Sequence, residues 1–157
     1  MEKYIDLESF VDYFIVYELA QNTEMGHPKS LYMHKEENEK LKTGPVWDFD
    51  WATFNAKSTR IASLNYFWYK KLGKSEKFND LLHYSLQSYK CSFENLYSYI
   101  DSLSAYIKKS NVQNIRLWPI EQIKAPIGDE ELDFDSAIVM LKDAYAKRIS
   151  TLSNAWD

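Results

Sequence analysis

One cysteine, four glycines and four prolines in 157 residues restrict what this chain can build. A lone Cys91 excludes an intrachain disulfide framework and a cysteine-rich zinc site. So few backbone breakers point away from a turn-rich β architecture and towards long helices. Positive charge is also short: 19 Lys and Arg face 23 Asp and Glu, a net −4, whereas a nucleic-acid footprint needs a basic patch. No apolar run approaches the roughly 18 residues of a membrane span, and no signal-peptide pattern is visible. Aromatic rings, by contrast, are plentiful, with 12 Tyr, 8 Phe and 5 Trp. Rings at that density give helices broad contact faces, and a hydrophobic fraction of 45% is enough for one globular core.

The hydrophobic spacing predicts a first helix over 7–21, capped by Asp6, with Leu7, Phe10, Val11, Phe14 and Ile15 on one buried face. Gly26 and Pro28 break the chain after Asn22. Two strands follow, 31–35 and 41–47, joined by a polar link; Pro45 confines the second to an edge or an irregular course. The remainder reads as helix. One piece runs over 64–72 and ends at Gly73, and a second runs over 76–89 after a Ser75 cap. A third begins at Ser92, carries Leu96, Ile100, Leu103 and Ile107 as a stripe, and stops at Trp118-Pro119. The last is capped by Asp133 or Asp135, and its core stripe is Phe134, Ile138, Leu141, Tyr145, Ile149, Leu152 and Trp156. The expected fold is α+β and mainly α: one β-hairpin packed on a helical bundle, residues 1–157 forming a single domain. Met1-Glu2-Lys3-Tyr4 leads straight into a helix start, so the domain is expected to be cut from a longer protein.

Although Asp-x-Asp alone also reads as a solvated acidic turn, the segment Thr43-Gly44-Pro45-Val46-Trp47-Asp48-Phe49-Asp50-Trp51 is the most informative stretch. It reads as a strand running into a loop with two carboxylates between indoles. Mg²⁺ takes one or two hard oxygen ligands and completes its shell with substrate phosphates, which is what such a loop can offer. The break after the first helix holds a second polar cluster, Asn22, Glu24, His27, Lys29 and Ser30. A hairpin between the two clusters can return the chain so that both sit at one end of it.

Three strings in this order resemble the CotH-type spore-coat protein kinase family: Tyr17-Glu18-Leu19-Ala20-Gln21-Asn22, His27-Pro28-Lys29-Ser30-Leu31-Tyr32-Met33, and Gly44-Pro45-Val46-Trp47-Asp48-Phe49-Asp50. Asn114-Ile115-Arg116-Leu117-Trp118-Pro119 is similar to that family's N-x-x-R-W-P stretch, with Leu117 interposed. The resemblance implies an atypical kinase-like fold that uses ATP and Mg²⁺ to phosphorylate protein Ser or Thr, in a secreted, cell-envelope or spore-coat setting. It places Asp48 as the metal-holding first Asp of the D-F-D motif, because phosphoryl transfer is mostly positioning and charge neutralisation. Asp50 is then a second metal ligand or a residue that orients water, against a plain loop cap.

The family's catalytic Asp falls, by ungapped counting, near Met25, where this chain has none. Glu24 beside it either takes the role of base with a longer arm or marks an altered site. Asn22 is a cofactor-binding candidate or a helix C-terminal cap. Lys29 is a phosphate partner or a solvated lysine, and Trp47 a stacking platform for a nucleotide or a buried indole. No chemistry is assigned to His34 or His83. A phosphate-covering Gly-rich loop and its basic residue are not found before Asp6, so the chain matches the C-terminal lobe of such a kinase. The rival reading is a non-catalytic surface or binding module that keeps this fold.

Overall fold

The computed structural model describes residues 3–26, 31–49, 53–54, 60–119 and 133–156. Among them the order is helix α1 (Leu7–Ala20), a 3₁₀ turn (Thr23–Gly26), strands β1 (Met33–His34) and β2 (Lys42–Thr43), and a 3₁₀ turn (Ser63–Asn65). Helices α2 (Phe67–Leu72), α3 (Glu76–Ser88), α4 (Lys90–Leu117) and α5 (Phe134–Trp156) complete it. The fold is mainly helical with one two-stranded antiparallel sheet, as the residue pattern predicts.

Helix α1 begins where Asp6 Oδ1 accepts the Ser9 amide at 3.1 Å. It is buried on nearly every side, from Phe10 through Ala20, rather than along the single face its spacing suggests. Helices α3 and α5, strand β2 and the second 3₁₀ turn all pack on it, so its rings Phe14 and Tyr17 sit at the centre of the core. The helix ends in a left-handed turn at Gln21, φ 56°, whose amide donates to Glu18 O while the Asn22 amide donates to Tyr17 O. Those two bonds satisfy carbonyls that a helix end otherwise orphans.

The hairpin is shorter than its sequence suggests. Met33 pairs with Thr43 and His34 with Lys42, and one further bond, Gly44 N–H to Tyr32 O at 2.9 Å, closes the ladder. Pro45 has no amide to extend it, and Gly44 sits at φ 120°, a conformation that favours glycine. Thr43 is clamped to α1 through Oγ1 donating to Ser9 O at 2.7 Å, and Leu41 bridges to Ile5.

Three further expectations are corrected. The helix expected over 64–72 is broken at Tyr66, which is extended and lays its ring against Gly26; a Cβ there would come within 2.9 Å of that ring. Helix α4 starts at Lys90, before Ser92, and none of its side chains is buried. Leu96 touches the core, but Leu103 and Ile107 are each 43% exposed, because α4 runs past the core with α5 beside it. The stripe on α5 divides likewise: Tyr145 and Leu152 are core, while Phe134, Ile138 and Leu141 are half-buried along α4. Asp133, not Asp135, caps α5 by accepting the Ser136 amide, and those bonds hold its carboxyl below the usual range. Asp135 instead pairs with Lys108 across the two helices.

One contact ties these elements together. Arg148 of α5, wholly buried, donates to Glu18 Oε2 at 2.6 Å, to Glu18 O at 2.8 Å and to Arg60 O at 3.2 Å. Glu18 Oε1 in turn accepts the Ser63 amide at 2.7 Å. Breaking a buried pair by removing one partner strands the other charge. Arg148→Met is therefore expected to lower unfolding free energy in urea by about 3–5 kcal/mol; a loss under about 1 kcal/mol, the level of a surface pair, would show the pair to be energetically idle.

Candidate functional site

The site begins at the C-terminal end of α1. Asn22, directly after the left-handed Gln21, is buried, and its side-chain amide works in two directions. Its Oδ1 accepts the Glu24 amide at 2.8 Å, and its Nδ2 donates to the Asp48 carbonyl at 3.0 Å. The cap position thus belongs to Gln21, and Asn22 joins the turn carrying Glu24 to the loop carrying Asp48. Reading Asn22 as a C-terminal cap is superseded, since its side chain serves the loops and not the helix carbonyls.

Asp48 adopts φ 64°, a left-handed conformation that Asp tolerates better than most residues. Its side chain is exposed at the loop surface. The chain on either side is held by α1 and its own turns. Tyr17 Oη donates to Trp47 O at 3.3 Å, the Tyr17 ring packs against Phe49 at 5.0 Å between centroids, and Phe54 N–H donates to Ala20 O at 2.7 Å. Trp47 is not a buried indole: it is 54% exposed and meets Tyr32 edge-on at 6.1 Å. An exposed indole beside a loop carboxylate is free to take a planar group on its open face.

Glu24 lies in the 3₁₀ turn and is half-buried. Among the described residues its Oε2 is buried and accepts no hydrogen bond. A buried acceptor without a donor is costly. Nearby, the Tyr13 phenol is pushed far above its usual range, by burial first and then by its bond to Tyr17, with a smaller contribution from the charge of Glu24. Tyr13 stays protonated and serves as a donor to Tyr17 at 2.9 Å.

The structure therefore brings Asn22, Glu24, Trp47 and Asp48 together. Lys29, Asp50, His27, Ser30 and Trp51 lie outside the described residues. No three His, Cys, Asp or Glu side chains converge as a metal site among the described residues. Asp48 offers a single exposed carboxylate at the loop mouth, and an Mg²⁺ site takes one or two such ligands with phosphate and water. The buried Glu18–Arg148 pair escapes sequence reading, because the two residues stand 130 positions apart and neither belongs to a local pattern.

A family model described as CotH kinase protein matches residues 1–152. Neither the curated proteins nor the solved structures contain a match to this chain. The Asn22 bridge itself can be tested. Asn22→Leu keeps the side-chain size and removes both bonds, so stability is expected to fall by about 1–3 kcal/mol. Amide exchange at Glu24 should quicken while the middle of α1 stays protected; unchanged Glu24 exchange would mean that the bridge does not hold the turn.

Proposed function

Given that the chain belongs to the CotH kinase family, we propose that it is the C-terminal lobe of an atypical protein kinase. The full-length parent transfers phosphate from ATP to Ser or Thr of a protein, with Mg²⁺. The observation that supports this reading is the Asn22 bridge, which links the backbone of the turn bearing Glu24 to that of the loop bearing Asp48. When bound, ATP with Mg²⁺ supplies the phosphoryl group and offsets its charge. In the proposal Asp48 holds the ion, with Asp50 as a second ligand, and Lys29 pairs with phosphate. Trp47 offers its open face to the nucleotide, and Asn22 fixes the backbone beneath it. The carboxylate of Glu24 would accept the proton of the substrate hydroxyl while the hydroxyl's own oxygen bonds to the terminal phosphorus of ATP and the bond to the leaving diphosphate breaks.

Exposed rings favour a second reading. Tyr32, Trp47, Phe67 and Trp68 are each 45–58% exposed, as a non-catalytic binding module would have them. Metal-dependent ATP binding by the parent separates the two.

In that parent, Asp48→Asn is expected to weaken Mg²⁺-dependent ATP binding strongly while keeping the fold, since Asn removes the charge and also tolerates the left-handed φ of 64°. Calorimetry giving the parental affinity would remove the metal assignment. Glu24→Gln is expected to keep ATP binding and lower turnover by about 10²–10⁴-fold, the span of a general base. Transfer at the parental rate would reduce Glu24 to a structural loop residue.

A further inference from the structure

Next to the candidate site lies a cavity of about 330 Å³ between the hairpin, α1 and α2. Its walls include Tyr13, Met25, Leu31, Met33, Phe67 and Trp68, and no charged side chain lines it. A pocket of this kind repels phosphate and carboxylate and accepts an aliphatic or aromatic group. Its size is at the lower end for ligand pockets, enough for a side chain rather than a whole cofactor.

Two walls connect it to the site. Met25 follows Glu24 in the same 3₁₀ turn, and Tyr32, also a lining residue, contacts Trp47 edge-on. A third feature concerns backbone. Strand β1 pairs with β2 on one side, through Tyr32 and His34, and has no strand on the other side among the described residues. By strand alternation the Met33 N–H and C=O face that open edge, and Met33 is one of the residues lining the cavity. An open edge beside an apolar pocket is the arrangement that receives an extended polypeptide, the edge binding its main chain and the pocket selecting one side chain.

We propose that this cavity is a specificity subsite for the protein substrate, receiving a Leu- or Phe-sized side chain close in sequence to the hydroxyl presented to Glu24. The assignment rests on the kinase reading of that hydroxyl but can be measured without catalysis. Phe67 and Trp68, 58% and 53% exposed, form its rim, and neither supports the core.

The experiment uses fluorescein-labelled serine-centred peptides that differ at single flanking positions, carrying Leu, Phe, Lys or Asp there. Anisotropy with this chain is expected to show the Leu and Phe peptides binding at least about tenfold tighter than their Lys and Asp counterparts at one position, as burial of such a side chain implies. Trp68→Ala and Phe67→Ala, with circular dichroism confirming an unchanged fold, should erase that preference. Equal binding across the set, or a preference that survives both substitutions, would overturn the subsite. The same peptides are then offered to the parent with Mg²⁺-ATP. Phosphate transfer without apolar preference removes the subsite and leaves the kinase reading standing. Selective binding without any transfer removes the kinase reading, and the substrate role of the cavity with it.

Discussion

The buried Glu18–Arg148 pair is the constraint on which the rest of this molecule hangs. Removing two charges from water costs several kcal/mol per ion, and the pair is tolerable when every donor and acceptor finds a partner. Here both Glu18 oxygens accept a bond, and Arg148 reaches a carboxylate and two carbonyls. Its planar fork suits that task, since three acceptors in different directions can be met without rotation. The consequence is topological. Helix α5, the 3₁₀ turn at Ser63 and the end of α1 are fixed to one another although they lie far apart in sequence, and the hydrophobic contacts among Phe14, Phe78, Leu82 and Leu152 form around that junction.

Glu18 also stands one turn before Asn22, so the ion pair and the site share the last turn of one helix. That turn carries an unusual concentration of tasks. Glu18 O accepts Arg148, Tyr17 O accepts the Asn22 amide, and Ala20 O accepts the Phe54 amide from beyond the Asp48 loop. Helix ends normally leave these carbonyls to solvent or to a glycine cap. Here they anchor the segments that bear Glu24 and Asp48. One helix end thus serves as the common support of both segments.

Much of the fold can be read along the chain because the relevant physics is local. Asp6 and Ser9, Asp133 and Ser136, and Pro45 at the end of β2 act within a few residues, and periodicity finds the helices. Where contacts are distant, the pattern misleads. The stripe Leu96, Ile100, Leu103 and Ile107 is a genuine periodicity, but periodicity reports that a face is apolar, not that a partner covers it, and α4 outruns the core after its second turn. For Trp47 the residue type alone leaves a stacking platform and a buried indole both open, and only the fold shows the ring exposed. The site was partly legible: Asn22, Glu24 and Asp48 stand out by type and order. The bridge that joins them could not be read, since it depends on a left-handed turn at Gln21, a residue with no strong preference for that conformation.

The manner in which the Asp48 loop is held has a mechanical consequence. It is not fixed by the sheet, whose ladder stops at Gly44. Its carbonyls at 47 and 48 are held instead by Tyr17 and Asn22, two side chains from the same end of α1. Glu24 is held by Asn22 as well. A small displacement of the hairpin therefore need not separate the two carboxylates, whereas a displacement of α1 carries both together. Their mutual geometry depends on one helix end and one amide side chain, and the buried arginine that fixes that helix end fixes the pair. The backbones of Glu24 and Asp48 therefore follow the end of α1 rather than the hairpin.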